Sequence, residues 1–438
     1  MDLPQISAAE KVPRRAFPPT PPRSLTSNLL WTLAGNAIYS ACQWGMLVGI
    51  IRIGHADLAG KYALGLALTA PLFMLTNMQM SGLLATDGGG QFEFADYQRV
   101  RWIGSAVALA AALTITLAVP SYRVAAGAVT LMALAKLVES ASDINYGLLQ
   151  RYHRMDRVAI GLVARGVLAL LALVVVLRLT GSLTLAIAAL ATAYAVVYWL
   201  YDGRAEHAVG ERSARDAGVA ARGFEAARLL TLTRLALPLG VASMLTSVAV
   251  TLPRLFVEHF FGLSALGVFS ALAYLVVAGR LLALPFGLAV APRLGDALAA
   301  RDFRTFNRLF SWLLAAGAVL GALGIVGSLL LGPWGLRLLY GPAFARYGLE
   351  LTMLMTAAAF GYLAIFLQSA LTTARIVAAQ TWLIAVSLVT TAAALALLVP
   401  QLGILGATIA MAIGSAFEML GSAVVVAWCW RRVFAPAA

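Results

Sequence analysis

Three charged residues stand at i, i+3 and i+7 within one apolar stretch: Lys136, Glu139 and Asp143. That spacing places them on one face of a helix. Arg254 and Glu258, four apart, are a second candidate pair. Arg165, Arg280 and Glu418 stand in apolar stretches of their own, and Arg280 has no acidic residue three or four positions away. A charge inside hydrocarbon costs about 2.5–3.5 kcal/mol near the middle of a helix, so each needs a reason to be there. One reason is mutual neutralisation that fixes helix packing, expected for Arg254–Glu258 near a helix end, where the side chains can snorkel. The other is a ligand. An arginine stays charged at low dielectric and engages two phosphate oxygens at once. A buried carboxylate offers a place for a proton or a sodium ion. On this reading Arg280, Arg165 and Lys136, with Arg52 near an outer rim, are candidate substrate-binding cations. Glu139, Asp143, Arg254, Glu258 and Glu418 are candidates for ion coupling or charge pairing.

Other motifs carry less. Gly321, Gly324 and Gly327 have the spacing of a helix-contact face. Asp87-Gly88-Gly89-Gly90 lacks the Lys-Ser/Thr of a phosphate loop and reads as a turn. Four histidines are scattered and the two cysteines lie in apolar segments, so neither a metal site nor a cofactor is expected.

The elements that must position these residues are set by composition. The 438 residues are 61% hydrophobic and 12% charged. A soluble domain is about half apolar and about a quarter charged, so this chain belongs in a bilayer. A spanning helix needs about 20 mostly apolar residues. That predicts an all-α polytopic membrane protein of about twelve helices, near 28–51, 61–85, 102–120, 124–149, 158–178, 183–201, 233–257, 265–291, 308–331, 348–373, 381–399 and 403–430. Pro71, Pro253 and Pro285 lie inside spans and predict kinks.

The net charge of +13 is carried by arginine, with only Lys11, Lys61 and Lys136 besides. Arginines cluster in alternate connections, which by the positive-inside rule puts both termini in the cytoplasm. A basic tail, 1–27, precedes a first lobe of six helices, 28–201. A hydrophilic linker, 202–232, separates it from a second lobe, 233–430, and 431–438 end the chain. The halves echo each other faintly: Gly60-Lys61-Tyr62-Ala63 runs toward Pro71, and Gly267-Val268-Phe269-Ser270 toward Pro285. Two lobes about a central cavity is a common transporter plan. The largest outer loop is expected over 332–347. It is too short for the catalytic segment that an enzyme acting on a membrane lipid would need.

Two stretches resemble Wzx-type flippases of the multidrug/oligosaccharidyl-lipid/polysaccharide exporter superfamily, which export O-antigen and capsular oligosaccharides. One runs from Asn77-Met78-Gln79-Met80 through Ala85-Thr86-Asp87 to Asp96-Tyr97 and Arg101. The other runs from Lys136 through Glu139-Ser140, Ser142-Asp143 and Tyr146-Gly147-Leu148-Leu149-Gln150 to Arg154-Met155-Asp156 and Arg165-Gly166. Gly267, Pro292 and Tyr340-Gly341 agree more loosely, while Ser81 and His153 depart from the arginine and the acidic residue expected there. The resemblance implies two lobes around a V-shaped cavity, and a polyprenyl-pyrophosphate-linked oligosaccharide flipped by alternating access from the cytoplasmic leaflet of a bacterial inner membrane. The partners it implies are that lipid-linked sugar, membrane lipid and the polysaccharide polymerase and assembly machinery. Nucleic acid is not expected, because no basic stripe on a soluble domain exists. The rival is a cation-coupled multidrug exporter of the same fold, with a cavity of carboxylates and aromatics; the charge here leans positive.

Overall fold

The computed structural model describes residues 25–87, 92–204, 225–300, 302–373 and 377–434; the side chains of some of these, Arg280 among them, lie outside the description. The basic tail and most of the linker, and with them Gly88–Gly90, also lie outside it. Among the described residues every regular element is a helix. In chain order these are α1 (Leu25–Ile53), α2 (Ala56–Asn77), α3 (Met80–Thr86), α4 (Phe94–Ala118), α5 (Ala126–Arg151), α6 (Met155–Thr180) and α7 (Leu183–Val197). A wider helical turn, Tyr198–Asp202, extends α7. The second half comprises α8 (Ala226–Ala299), α9 (Phe303–Tyr340), α10 (Gly348–Thr373), α11 (Val377–Leu402) and α12 (Ile404–Phe434).

Backbone groups in hydrocarbon must be satisfied within their own segment, so apolar runs of this length become helices. Local signals end them. Gly181, at φ +67°, terminates α6, and the Ser182 side chain then accepts a hydrogen bond from the Leu185 amide to start α7. Glu93 and Asp96 form a capping box at α4.

Among the described residues ten helical segments are long and apolar enough to cross a bilayer. The count departs from about twelve in two places. The segment Ala226–Val277 is 52 residues long and contains a break at Gly262, φ +75°, where an apolar run has room to turn back. Helix α1 has the length but carries Asn28, Asn36, Gln43 and Arg52, and falls short on apolarity. The connection expected over 332–347 is mostly helix: α9 continues through Pro333 to Tyr340, and a 3-10 turn spans Pro342–Tyr347.

The two halves meet chiefly where α2 lies against α8. Small residues set that approach. A Cβ on Gly60 would meet the Leu263 carbonyl, and one on Gly267 the Ala56 carbonyl. The largest core cluster crosses between the halves here, with Met46, Leu47, Ile50 and Tyr62 on one side and Val268, Phe269, Leu272 and Tyr340 on the other.

Candidate functional site

A cavity of about 470 Å³ opens among α1, α2, α5 and α6, toward the end of the bundle where α1 begins and where the arginine-rich connections lie. Its wall holds Lys136, Glu139, Asp143 and Arg165 together. Amides and hydroxyls fill the rest: Thr32, Asn36, Tyr39, Asn77, Gln79, Ser81, Ser140, Tyr146, Gln150 and, from the second half, Ser243.

The charges cancel. Lys136 Nζ stands 2.7 Å from Glu139 Oε2, with each side chain about one-fifth exposed. Asp143 shares the helical face but pairs elsewhere, taking a 2.9 Å bond from Nη2 of Arg101 on α4. Arg101 is 1% exposed while Asp143 is 43% exposed, so the carboxylate is the member that meets the cavity. Ser105 and Ser140 bond at 3.0 Å beside this pair, and Ser140 donates to Asn77 Oδ1 at 2.5 Å.

Arg165 is enclosed by aromatic rings. Its guanidinium carbon lies 5.1 Å from the Tyr39 ring centroid, 5.4 Å from that of Tyr194 and 5.5 Å from that of Tyr146. A desolvated cation–π contact is worth about 2 kcal/mol. Arg165 is 3% exposed, and its Nε and Nη1 are buried without a hydrogen-bond partner. The three tyrosine hydroxyls extend the network: Tyr39 donates to Glu139 Oε1 at 3.2 Å and lies 3.1 Å from the Tyr194 hydroxyl. Tyr146 donates to Asp202 Oδ2 at 3.2 Å. Asp202, read from the sequence as the start of the linker, is 1% exposed and within electrostatic reach of Arg165. Two cations and two carboxylates line the cavity, so the described wall is electrically balanced, and the lean toward positive charge expected from the sequence is corrected. The partners responsible, Arg101 and Asp202, come from helices that periodicity cannot orient.

At the cavity rim α2 ends in an unusual turn. Met78 (φ 47°) and Gln79 (φ 48°) are both left-handed, and neither is glycine. Such residues cost on the order of 1–3 kcal/mol each and persist where surroundings hold them. Met78 is buried in a cluster with Leu232 and Ala236 of α8. A Cβ on Gly240 would strike the Leu75 carbonyl, so that glycine permits the close approach of α8 to the turn. Gln79 Nε2 donates to Ser243 Oγ at 2.8 Å, joining the halves.

Arg52, Arg254, Glu258 and Glu418 lie apart from the cavity. Arg52 clamps the opposite end: its guanidinium donates to the carbonyls of Leu339, at 2.8 Å, and Leu338, in the last turn of α9. A cation there meets both the unsatisfied carbonyls and the negative end of the helix dipole. Beside it Trp44 Nε1 donates to the Tyr340 hydroxyl, and Tyr340 to the Ala271 carbonyl, each at 2.9 Å. Arg254 does not pair with Glu258 as their spacing suggested: no ion pair joins them, and Arg254 lies over the Tyr274 ring at 6.0 Å. The i,i+4 geometry permits a pair, but the nearby ring of the next pass attracts the cation instead. Glu258 is 5% exposed. Glu418 accepts a 2.7 Å bond from Gln368 Nε2 within the second half. No group of three or more potential metal ligands occurs among the described residues.

The clamp at the opposite end predicts its own failure. Arg52→Ala with Tyr340→Phe removes hydrogen bonds that each contribute about 1 kcal/mol, so reaction of a cysteine placed at Ala271 with a membrane-impermeant maleimide should rise at least about tenfold. Unchanged reactivity would mean that packing alone holds this end shut.

No protein-family model matches the chain. A capsular polysaccharide biosynthesis protein, CapF of Staphylococcus aureus, is 23% identical over 350 residues, covering 78% of this chain and 84% of that protein. Among solved structures, the lipid II flippase MurJ in an inward closed conformation superposes with a TM-score of 0.71 at 10% identity, over 91% of this chain and 87% of that one. A MOP-superfamily transporter from Pyrococcus furiosus Vc1 superposes with a TM-score of 0.63 at 14% identity, over 92% and 94%. An inward-facing MATE transporter of the same superfamily gives 0.62 at 14%, over 93% and 94%. The fold that the resemblance implied is the fold of these solved structures. The chain is a multi-pass helical membrane protein with the fold of the MOP-superfamily transporters, and a distant sequence relative of a capsular polysaccharide biosynthesis protein.

Proposed function

We propose that the protein flips a lipid-linked oligosaccharide across a bacterial inner membrane by alternating access, with both termini cytoplasmic, in surface polysaccharide biosynthesis. The observation that carries this reading is the cavity of about 470 Å³, rich in amides and hydroxyls, sunk into an otherwise apolar helix bundle. A polar headgroup needs such a compartment to cross hydrocarbon, while a polyprenyl tail needs none and stays in lipid. The relationship to a capsule biosynthesis protein supports a saccharide cargo.

Of the cations expected to meet the pyrophosphate, Arg280 keeps that role. Lys136 is neutralised by Glu139, Arg165 is enclosed by tyrosines, and Arg52 clamps the opposite end. Outward movement of about two negative charges is favoured by an inside-negative potential at ~2.3 kcal/mol per charge per 100 mV, so ion coupling through Glu139, Asp143 or Glu418 is not required. A cationic drug would need a carboxylate free to receive it, and Glu139 and Asp143 are each already bound to a cation.

The test is leaflet-specific labelling of a polyprenyl-pyrophosphate sugar in proteoliposomes, comparing wild type with Arg280→Ala. Translocation by wild type that falls at least about tenfold in the variant, as the loss of one charge-assisted contact predicts, supports both assignments. Translocation unchanged by the substitution keeps the function and removes Arg280 from the site. No translocation of any lipid-linked sugar sinks the reading.

A further inference from the structure

Three features converge on one residue at the cavity rim. Gln79 sits in the two-residue left-handed turn, its side chain lines the cavity, and its amide bridges to Ser243 of the second half at 2.8 Å. A strained turn of non-glycine residues beside a cavity is a sign of function. The turn fixes where the amide points and leaves it exposed.

The surroundings indicate what the amide reads. The lining charges balance, so the wall offers no net attraction to an anion or a cation. Asn77, Ser81 and Gln150 present further amide and hydroxyl groups, and among the described residues the side chains of Ser81 and Gln150 have no protein hydrogen-bond partner. Side-chain amides carry two donors and an acceptor, which match a sugar hydroxyl that both donates and accepts. A buried polar ligand is bound selectively when its hydroxyls complete such a set, because a ligand lacking them leaves the groups unpaired.

We propose that this cavity is an uncharged-saccharide subsite read by Gln79, and that saccharide and Ser243 compete for the Gln79 amide. This rests on the flippase reading for the source of the saccharide, and it deepens that reading. With the cavity empty, Gln79 Nε2 donates to Ser243 and ties α2 to α8. A bound sugar hydroxyl accepts from Nε2 and donates to Oε1, and the tie between the halves is released. Ser243 loses little, since its hydroxyl also donates to the Leu239 carbonyl of its own helix at 2.9 Å. Occupancy of the cavity is thereby communicated to the contact between the halves.

The competition gives opposite signs for the two partners. In the full-length protein in detergent, saturation-transfer NMR titrations with methyl glycosides of glucose, galactose and N-acetylglucosamine report binding; glucuronate and inorganic pyrophosphate are the charged controls. Gln79→Ala should weaken binding of the neutral glycoside by about tenfold, and Ser243→Ala should tighten it about threefold, the range of one net hydrogen bond. A bridge that is only structural would move both variants in the same direction, and that result overturns the proposal. So does binding of none of the glycosides, or of the charged controls alone. Ser243→Ala leaves the turn untouched, so a folding defect in Gln79→Ala does not protect the idea. Lipid-linked sugar transport by the same preparation separates the two claims. Transport without glycoside binding removes the subsite and keeps the flippase; opposite-sign binding without transport keeps the subsite and removes the flippase.

Discussion

Gly267→Leu should prevent the opposite end of the bundle from closing. A Cβ at Gly267 meets the carbonyl of Ala56 and the amide of Gly60, and one at Gly60 meets the carbonyl of Leu263. All three obstacles are backbone, at the starts of two helices that face each other, so no rotamer change relieves them. Overpacking costs about 1–3 kcal/mol where side chains can yield, and here the upper end applies, a factor of roughly 100 against the closed arrangement. The direct measure is a disulfide between cysteines placed at Arg52 and Leu339, whose parents are joined by a hydrogen bond in this closed arrangement. Its yield should fall to background in Gly267→Leu, and lipid-linked sugar transport should fall with it. Gly327→Leu is the control: nothing lies within 4 Å of a Cβ there, so yield and transport should match the parent. Full cross-linking in Gly267→Leu would show that α2 and α8 tolerate separation at this end, and that the Trp44–Tyr340–Ala271 hydrogen bonds hold it.

The same two glycines illustrate what the sequence made legible. Gly60 and Gly267 stand out as corresponding positions in faintly similar halves, and the fold brings them face to face. Long apolar runs located most helices to within a few residues, because hydrocarbon enforces helix wherever the run is long enough. Periodicity also put Lys136 and Glu139 on one face, and they pair. It failed where rotation about a helix axis matters. Asp143 shares their face yet reaches Arg101 on another helix, and Arg254 turns from Glu258 to a ring. Neither choice is local. The tyrosines around Arg165 come from α1, α5 and α7, and no spacing within one segment reveals such a meeting. The left-handed pair Met78–Gln79 had no glycine or asparagine at either position to announce it. Asp202 was hidden by its position, at the edge of a hydrophilic stretch where acidic residues are usually solvated.

These misses share a consequence for the cavity. Two cations counted as free from the sequence, Arg165 and Arg52, have partners supplied by distant segments. Lys136 alone had its neutraliser nearby. The described wall, which reads as cationic in one dimension, carries two cations and two carboxylates in three.

Arg165→Leu therefore tests the network as a packing element. Arg165 is within electrostatic reach of Glu139 and Asp202 and is enclosed by three tyrosine rings, almost wholly buried. Removing it leaves Asp202 with the Tyr146 hydroxyl at Oδ2 but without the charge of Arg165. Taking one member from a buried charge set costs about 3–5 kcal/mol, because the survivor stays desolvated. The thermal midpoint in detergent should drop by several degrees or more, and the folded yield with it. Asp202→Asn added to Arg165→Leu removes the stranded charge while keeping an acceptor for the Tyr146 hydroxyl, so it should recover at least about half of the loss. Arg165→Lys separates charge from shape: an ammonium balances Asp202 but cannot lie flat against three rings, so it should fall between wild type and leucine. If Arg165→Leu is as stable as wild type, the guanidinium is not part of the packing, and Arg165 returns to the set of cations available to a pyrophosphate. If the double variant recovers nothing, Asp202 is neutral in the folded protein and the tyrosines alone account for the arginine's position.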